Sequence, residues 1–259
     1  MRELRDQTGV MVRVPDYPQR IVSLVPSQTE LLIHLGLGKR LVGRTKFCVH
    51  PPSVKDIPIV GGTKNYRYAA IADLKPDLII GNLEENEKEG IETLRKDYPV
   101  WLSDIKSIED ALEMIRELGE IVELQDQAKE ITNSIKAEFE RFKSRKKLKT
   151  VYMIWKDPWM AAGTDTFINE MMSLSGFANL IKDPRYPEIS IPDLFNLEPE
   201  VIMLSSEPYP FKEQHIVELR EKMPEVRVIL VDGEMFSWYG SRLLKAVDYL
   251  QELHELLDD

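Results

Sequence analysis

A chain of 259 residues, 43% hydrophobic and 30% charged, is long enough for one large domain or two smaller ones and too apolar for a disordered chain. Asp and Glu number 44 against 34 Lys and Arg, and the formal net charge of −10 excludes a broad nucleic-acid or anionic-membrane surface, because both need a basic footprint. Its single cysteine, Cys48, excludes an internal disulfide, and no apolar run reaches the roughly 18 residues of a membrane span.

Taken in chain order, Met1 to Arg20 alternates charged and apolar residues and lacks the apolar core of an export leader. Arg20–Val25 reads as a buried strand. The apolar spacing that follows reads as a helix through Leu35, capped by Ser27 or Thr29 and ended by Gly36 and Gly38. Leu41-Val42-Gly43 predicts a second strand, leading through Thr45 to His50 and a Pro51-Pro52 stop. Ile59 to Thr63 predicts a short strand with a glycine turn. A helix over Tyr68 to Leu74, a strand over Leu78 to Ile80, a helix opened by Asn82 to Asn86 and a strand over Pro99 to Leu102 follow. This alternation predicts a parallel sheet with crossover helices, on which ligands sit beyond the carboxyl ends of the strands.

From Ser107 to about Lys147 the pattern reads helical throughout, with no proline and one glycine, Gly119. In its second half, Ile131, Ile135, Phe139 and Phe142 form a single apolar stripe. The basic run Lys143 to Lys149 reads as a solvated helix end complementing the helix dipole. Alternation then resumes with a strand over Val151 to Ile154, a helix over Asp165 to Ser175 and a strand over Val201 to Leu204. A helix over His215 to Lys222, a strand over Val226 to Val231 and a closing helix over Ser241 to Leu257, with Ser241 as its N-cap, complete the chain.

One segment repeats. Leu74-Lys75-Pro76-Asp77-Leu78-Ile79-Ile80 is echoed by Leu197-Glu198-Pro199-Glu200-Val201-Ile202-Met203, each passing from a helix end through proline into a strand. A matched element in each half predicts an α/β fold of two similar parallel-sheet lobes joined by a long backbone helix, with a ligand cleft between the lobes. The expected division is 1–124, 125–148 for the helix, and 149–259.

Arg20 to Leu31, Leu74 to Ile80, the long mid-chain helix and Leu197 to Leu204 together resemble the helical-backbone (class III) periplasmic-binding-protein superfamily. Its members capture cobalamin, ferric siderophores, haem or metal ions for ABC importers. The pattern is most similar to the cobalamin-binding branch. The resemblance covers nearly the whole chain from Arg20 onward, and it implies a binding protein rather than an enzyme. Exported members dock on the permease through one carboxylate on each lobe. The matching positions here are Ala69 and Pro192, with Asp193 beside the latter, so both docking carboxylates are absent or one has shifted. With no leader in the chain as written, the resemblance is to a leaderless member, expected in the cytoplasm as written and in the periplasm if a leader was removed.

Tyr66, Trp155, Trp159, Tyr186, Tyr209, Phe211, Trp238 and Tyr239 fall in loops or at strand ends, where flat aromatic faces suit a large planar ligand. By the resemblance, Tyr186 stands where the cobalamin-binding branch has a cleft tryptophan and His50 where it has a tyrosine. Glu207, in the proline-stiffened loop Ser205 to Phe211, is read either as a ligand or metal contact or as a cap of the next helix. Glu84 and Glu85 read as an acidic first helical turn. His50 is the candidate axial ligand to a bound metal centre, with Glu207 as the second candidate metal residue. His34 reads as a core residue and His254 as exposed. Cys48 and His50 lack the orienting third group of a nucleophile pair.

The expected function is therefore a solute-binding protein for a metal chelate, cobalamin or another corrinoid, linked to ABC-type uptake. No covalent cofactor, nucleic acid or membrane insertion is expected, and the chain is expected to be a monomer. The alternative is a leaderless metalloprotein or enzyme that reuses the fold around an ion.

Overall fold

The alternation at the start of the chain forms a hairpin, β1 (Arg2–Arg5) antiparallel to β2 (Met11–Val14). Asp6 closes its turn, accepting from the backbone N–H groups of Thr8 and Val10 and from the Arg95 guanidinium at 2.7 Å. The structure, a computed structural model, describes residues 1–141 and 147–258.

Strand β3 (Ile21–Ser23) passes directly into α1 (Pro26–His34). The helix starts on Pro26, whose fixed φ and missing N–H suit a first position, and no side chain caps it. Ser27 and Thr29 are inside the helix, and the Thr29 hydroxyl bonds back to the Val25 carbonyl. Strand β4 (Leu41–Arg44) pairs with β3. The stretch expected as a strand near Ile59 makes only isolated bridges, Arg44 to Ile59 and Gly61 to Tyr66. Helix α2 (Tyr68–Leu74), strand β5 (Leu78–Asn82), helix α3 (Lys88–Leu94) and strand β6 (Val100–Ser103) follow. Helix α3 begins later than expected, because Asn82 ends the strand and Glu87 is the cap, accepting from the N–H groups of Glu89 and Gly90. The strand order is β4-β3-β5-β6, all parallel.

The long helical stretch is two helices, α4 (Ile108–Ile121) and α5 (Gln125–Arg141). The break carries no glycine or proline. Glu123 takes the left-handed conformation (φ +60°), with its N–H on the Glu120 carbonyl and the Leu124 N–H on the Gly119 carbonyl at 2.7 Å. This is the C-terminal motif usually built on glycine. Gly119 serves close packing instead: a Cβ there would lie 2.3 Å from the Ala128 Cβ. Ala128, Ile131, Thr132 and Ile135 form the buried face of α5. Phe142 and residues 143–146 of the basic run lie outside the described residues.

The second sheet is built from β7 (Leu148–Trp155), β8 (Met160–Ala161), β9 (Phe177–Asn179), β10 (Val201–Ser205) and β11 (Arg227–Val231). Helix α6 (Phe167–Leu174) precedes β9, α7 (Ile191–Leu197) precedes β10 and α8 (Glu213–Lys222) precedes β11. A single turn, α9 (Glu234–Ser237), and the closing α10 (Leu243–Asp258) follow. The β9, β7, β10 and β11 pairings are parallel, and β8 lies antiparallel to β7. Ser241 does not cap α10: it lies two residues before the helix, and its buried hydroxyl makes no hydrogen bond.

The chain forms two units. One comprises Met1–Ile105, Glu109–Ala137 and Trp238–Arg242; the other comprises Lys106–Ile108, Glu138–Ser237 and the chain from Leu243 onward. They are not contiguous stretches. Trp238–Arg242, expected with the C-terminal half, belongs with the first unit, and the division within α5 falls after Ala137. The core of the first unit gathers Val22, Leu24, Ile71, Ile79, Ile91 and Leu102; that of the second gathers Val151, Met153, Leu194, Ile202, Leu204 and Leu219.

Candidate functional site

In the first unit, a buried polar network lies at the carboxyl ends of the strands. Gln28 donates to the Gly81 carbonyl at 2.9 Å and to the Ser103 hydroxyl at 2.7 Å, and the Asn82 amide donates to the same hydroxyl. Asn82 also accepts from the N–H groups of Glu84 and Glu85, fixing the loop after β5. The loop after β4 is held by Arg44. Its guanidinium is almost fully buried and donates to the carbonyls of Thr45, Cys48, Val54 and Lys55. Cys48 is buried against the hydroxyls of Thr29 and Thr45, each 3.1 Å from its sulfur, and burial pushes its thiol pKa up. A thiol so placed is a packing residue, not a nucleophile.

His50 and Trp238 meet edge to face, with ring centroids 5.7 Å apart. The Arg242 guanidinium lies 4.8 Å over the Trp238 ring, and its Nε donates to Glu30 at 2.8 Å. Tyr239 donates its hydroxyl to Glu85 at 2.9 Å. Burial and then the Glu85 charge hold its phenol well above the usual range, so it is a permanent donor at neutral pH. Glu85 is therefore not a helix-dipole residue; it lies ahead of α3 and anchors the Trp238–Arg242 segment. Tyr66 is a core residue here. Its hydroxyl donates to the Thr63 carbonyl at 2.7 Å, and its ring leaves no room for a Cβ on Gly90.

The second unit gathers aromatics at the ends of β7 and β10. Trp159 stacks on Phe211, with centroids 5.8 Å apart and ring planes 10° apart. Tyr209 meets Trp155 edge to face at 5.5 Å and lies 4.7 Å from Phe211. His215 packs against both Tyr209 and Phe211, and its Nδ1 accepts from the Lys212 N–H as part of the cap of α8. Phe211 is buried, Trp159 and Tyr209 are half-buried, and Trp155 is exposed. Glu207 does not cap α8; it accepts from the Ser237 hydroxyl at 2.8 Å. Tyr186 lies in the loop before α7 with the Arg185 guanidinium 5.5 Å over its ring.

Two histidines exchange their expected environments. His34 is exposed, whereas His254 is fully buried and packs on Phe177 at 5.3 Å. Among the described residues, no group of three or more His, Cys, Asp or Glu side chains is placed to hold a metal ion. Among the described residues no helix is long and apolar enough to cross a membrane. Ala69 and Pro192 are both exposed, each in the first turn of its helix, α2 and α7, and Asp193 is occupied in a capping box with Ser190.

The residues that sequence reasoning missed are Arg44 and the Glu30–Arg242 pair, which fix the loop after β4 and the Trp238 segment. Arg44 ends a strand with no acidic residue near it in sequence, which was the available signal.

Comparison with known proteins adds three findings. Residues 21–223 match the profile of a family described as periplasmic binding protein. The vitamin B12-binding protein of Pectobacterium carotovorum is 25% identical over 254 residues, covering 94% of this chain and 91% of its own length. An uncharacterised ABC transporter substrate-binding lipoprotein of Bacillus subtilis is 27% identical over 95% of this chain and 83% of its own. Among solved structures, the periplasmic vitamin B12 binding protein of Vibrio cholerae superposes with a TM-score of 0.81, covering 95% of this chain and all of that one at 22% identity.

Proposed function

We infer, from the premise that this chain belongs to the periplasmic binding protein family, that it captures a metal chelate, cobalamin or another corrinoid, for an ABC-type importer. It works outside the cytoplasmic membrane and hands its ligand to a permease. Within the second unit, Tyr186, Glu207 and the aromatic set Trp155, Trp159, Tyr209 and Phe211 are the candidate contacts. Within the first unit, His50, packed against Trp238, is the candidate contact.

The observation that carries this reading is the aromatic platform at the ends of β7 and β10. Trp159 and Phe211 already stack nearly parallel, and Trp155 presents its ring to solvent beside them. Rings that are packed in advance lose little entropy when a flat macrocycle lies on them. A chelate also fits the single imidazole of His50 better than a bare ion, which needs several donors from the protein.

The test is a tryptophan-fluorescence titration of the purified protein with cyanocobalamin, run beside haemin and a ferric siderophore and corrected for chelate absorbance. Saturable quenching by the corrinoid at about micromolar concentration or below is expected, and Trp155→Ala should weaken it about tenfold, or roughly 1.4 kcal/mol. No change at high micromolar corrinoid would overturn the assignment.

A further inference from the structure

Within the first unit, beyond the carboxyl end of β4, lies a cavity of about 550 Å³ lined by Lys46, Phe47, Ile59, Gly62, Lys64 and Arg67, among others. It has the size of a small-molecule site. Its lining holds three cationic side chains and no acidic one, in a chain of net charge −10. Among the described residues neither Lys46 nor Lys64 forms an ion pair; the Lys46 ammonium instead lies 4.8 Å over the Phe47 ring. Like charges gathered without a counter-ion repel one another, and an anion placed among them relieves that repulsion.

The cavity wall is rigid. Lys46 and Gly61 are joined by a backbone hydrogen bond of 2.8 Å, as are Gly62 and Asn65. Gly61 has φ +124°, and a Cβ there would lie 2.2 Å from the Asn65 carbonyl oxygen, so the turn tolerates no side chain. The Thr63 carbonyl accepts from both the Tyr66 hydroxyl and the Asn86 amide, which ties the loop to the core. The Arg67 guanidinium is fixed on the Ile59 carbonyl. Phe47 and Ile59, 49% and 39% exposed, give the same cavity an apolar edge. A recess lined by cations and an exposed ring suits an anionic oxygen group attached to an apolar body.

We propose that this cavity receives a carboxylate or phosphate group of the ligand, held by Lys46, Lys64 and Arg67 with Phe47 against the adjoining apolar part. The proposal rests on the solute-binding reading above and narrows it: the preferred chelate is anionic at its periphery.

The experiment uses the full chain and the double variant Lys46→Gln/Lys64→Gln, whose side chains are exposed, so the fold is kept. Two ligand pairs are compared by fluorescence titration: haemin with its dimethyl ester, and cyanocobalamin with dicyanocobinamide, which lacks the phosphate. The variant should weaken the anion-bearing member of a pair about tenfold and leave its counterpart within about twofold. Loss confined to the haemin pair identifies a carboxylate; loss confined to the corrinoid pair identifies a phosphate. Equal loss for both members, or none, overturns the proposal while the binding function stands. If no chelate binds the wild-type chain, the binding function fails, and amide NMR during titration with inorganic phosphate and with benzoate decides the anion site. Saturable shifts at Gly62, Thr63 and Lys64 that vanish in the double variant support it, and an unchanged spectrum overturns it.

Discussion

The two sheets have one topology and two kinds of loop. In each, counting its parallel strands in chain order, the second lies beside the first, then the third and fourth follow: β4-β3-β5-β6 and β9-β7-β10-β11. The approach to the third strand is the same down to hydrogen bonds. Helices α2 and α7 end on left-handed residues, Lys75 (φ +46°) and Glu198 (φ +48°). Proline follows, and then an acid whose N–H bonds the chain leading into or opening the first strand, at Arg20 and at Lys149. The exits diverge. Each second strand ends on a buried polar residue that ties down the loop beyond it, but in the first unit that residue is Arg44, with four hydrogen bonds to its own loop, and in the second it is the shorter Asn179. The third strands end on Asn82 and Ser205 in the same way. Strand approaches are thus shared scaffold, whereas strand exits carry what distinguishes the units: a cationic cavity in one, stacked aromatics in the other.

The largest expected effect breaks this comparison at Arg44. Arg44→Met keeps the length and apolar stem but removes four hydrogen bonds to the loop carbonyls, and it should cost about 3 kcal/mol. Urea unfolding measures the loss, and hydrogen exchange locates it. Protection should fall in the loop after β4 and in β3 and β4, while β7 and β10 retain theirs. An equal loss in β10 would show that the exits of the two units are not separate devices.

The repeated approach was legible in sequence because proline and a left-handed residue are local punctuation, and Leu-Lys-Pro-Asp and Leu-Glu-Pro-Glu print it directly. Buried strands such as Leu78 to Ile80 and Val201 to Leu204 were legible as apolar runs for the same reason. The break between α4 and α5 was not, because Glu123 adopts a conformation that composition assigns to glycine. His34 and His254 were misplaced because a helix face is apolar by average, whereas burial is decided by which neighbour arrives: His254 meets Phe177. Of the candidate site, the aromatic set Trp155, Trp159, Tyr209 and Phe211 was legible as a list but not as a cluster, since its packing joins two loops some fifty residues apart. The cationic cavity left only a faint trace, three basic residues flanking Gly61-Gly62 in an acidic chain.

A smaller effect grades the shared approach. The Asp77 carboxylate accepts from the N–H groups of Gln19 and Arg20, each at 2.8 Å, and the Glu200 carboxylate accepts from that of Lys149 at 2.8 Å. Asp77→Ala and Glu200→Ala should therefore each cost about 1–2 kcal/mol. Denaturant midpoints of the two variants check both losses. No loss in either variant would mean that the motif acts through its proline and left-handed residue alone.

The smallest effect separates the units by pH. Glu117 on α4, in the first unit, has a carboxyl pKa raised to about 7, by burial first and then by the charges of Glu113, Asp6 and Glu120, against a weaker opposing influence of Arg116. One of its oxygens is buried without a hydrogen bond. Glu218 on α8, in the second unit, shifts the opposite way, held below its ordinary value chiefly by its hydrogen bond from Lys156 and also by Lys222. With Glu117 the folded state keeps its proton where the unfolded chain has lost it, so stability falls as pH rises from about 4.5 to about 7 and is level above that. With Glu218 the favourable contribution is present above the unfolded pKa and lost as pH falls through the folded one. Glu117→Gln mimics the protonated form. Because the site is half exposed to solvent, the gain at pH 8 should be only about 1 kcal/mol, or roughly 2–4 °C in Tm, and should vanish near pH 4. Melting curves across that range, with exchange protection read separately in β5 and β10, check the split: the substitution should raise β5 at alkaline pH and leave β10 unmoved. A gain that persists at pH 4 would mean that the amide packs better than the acid, and that charge on α4 is not what tells the units apart.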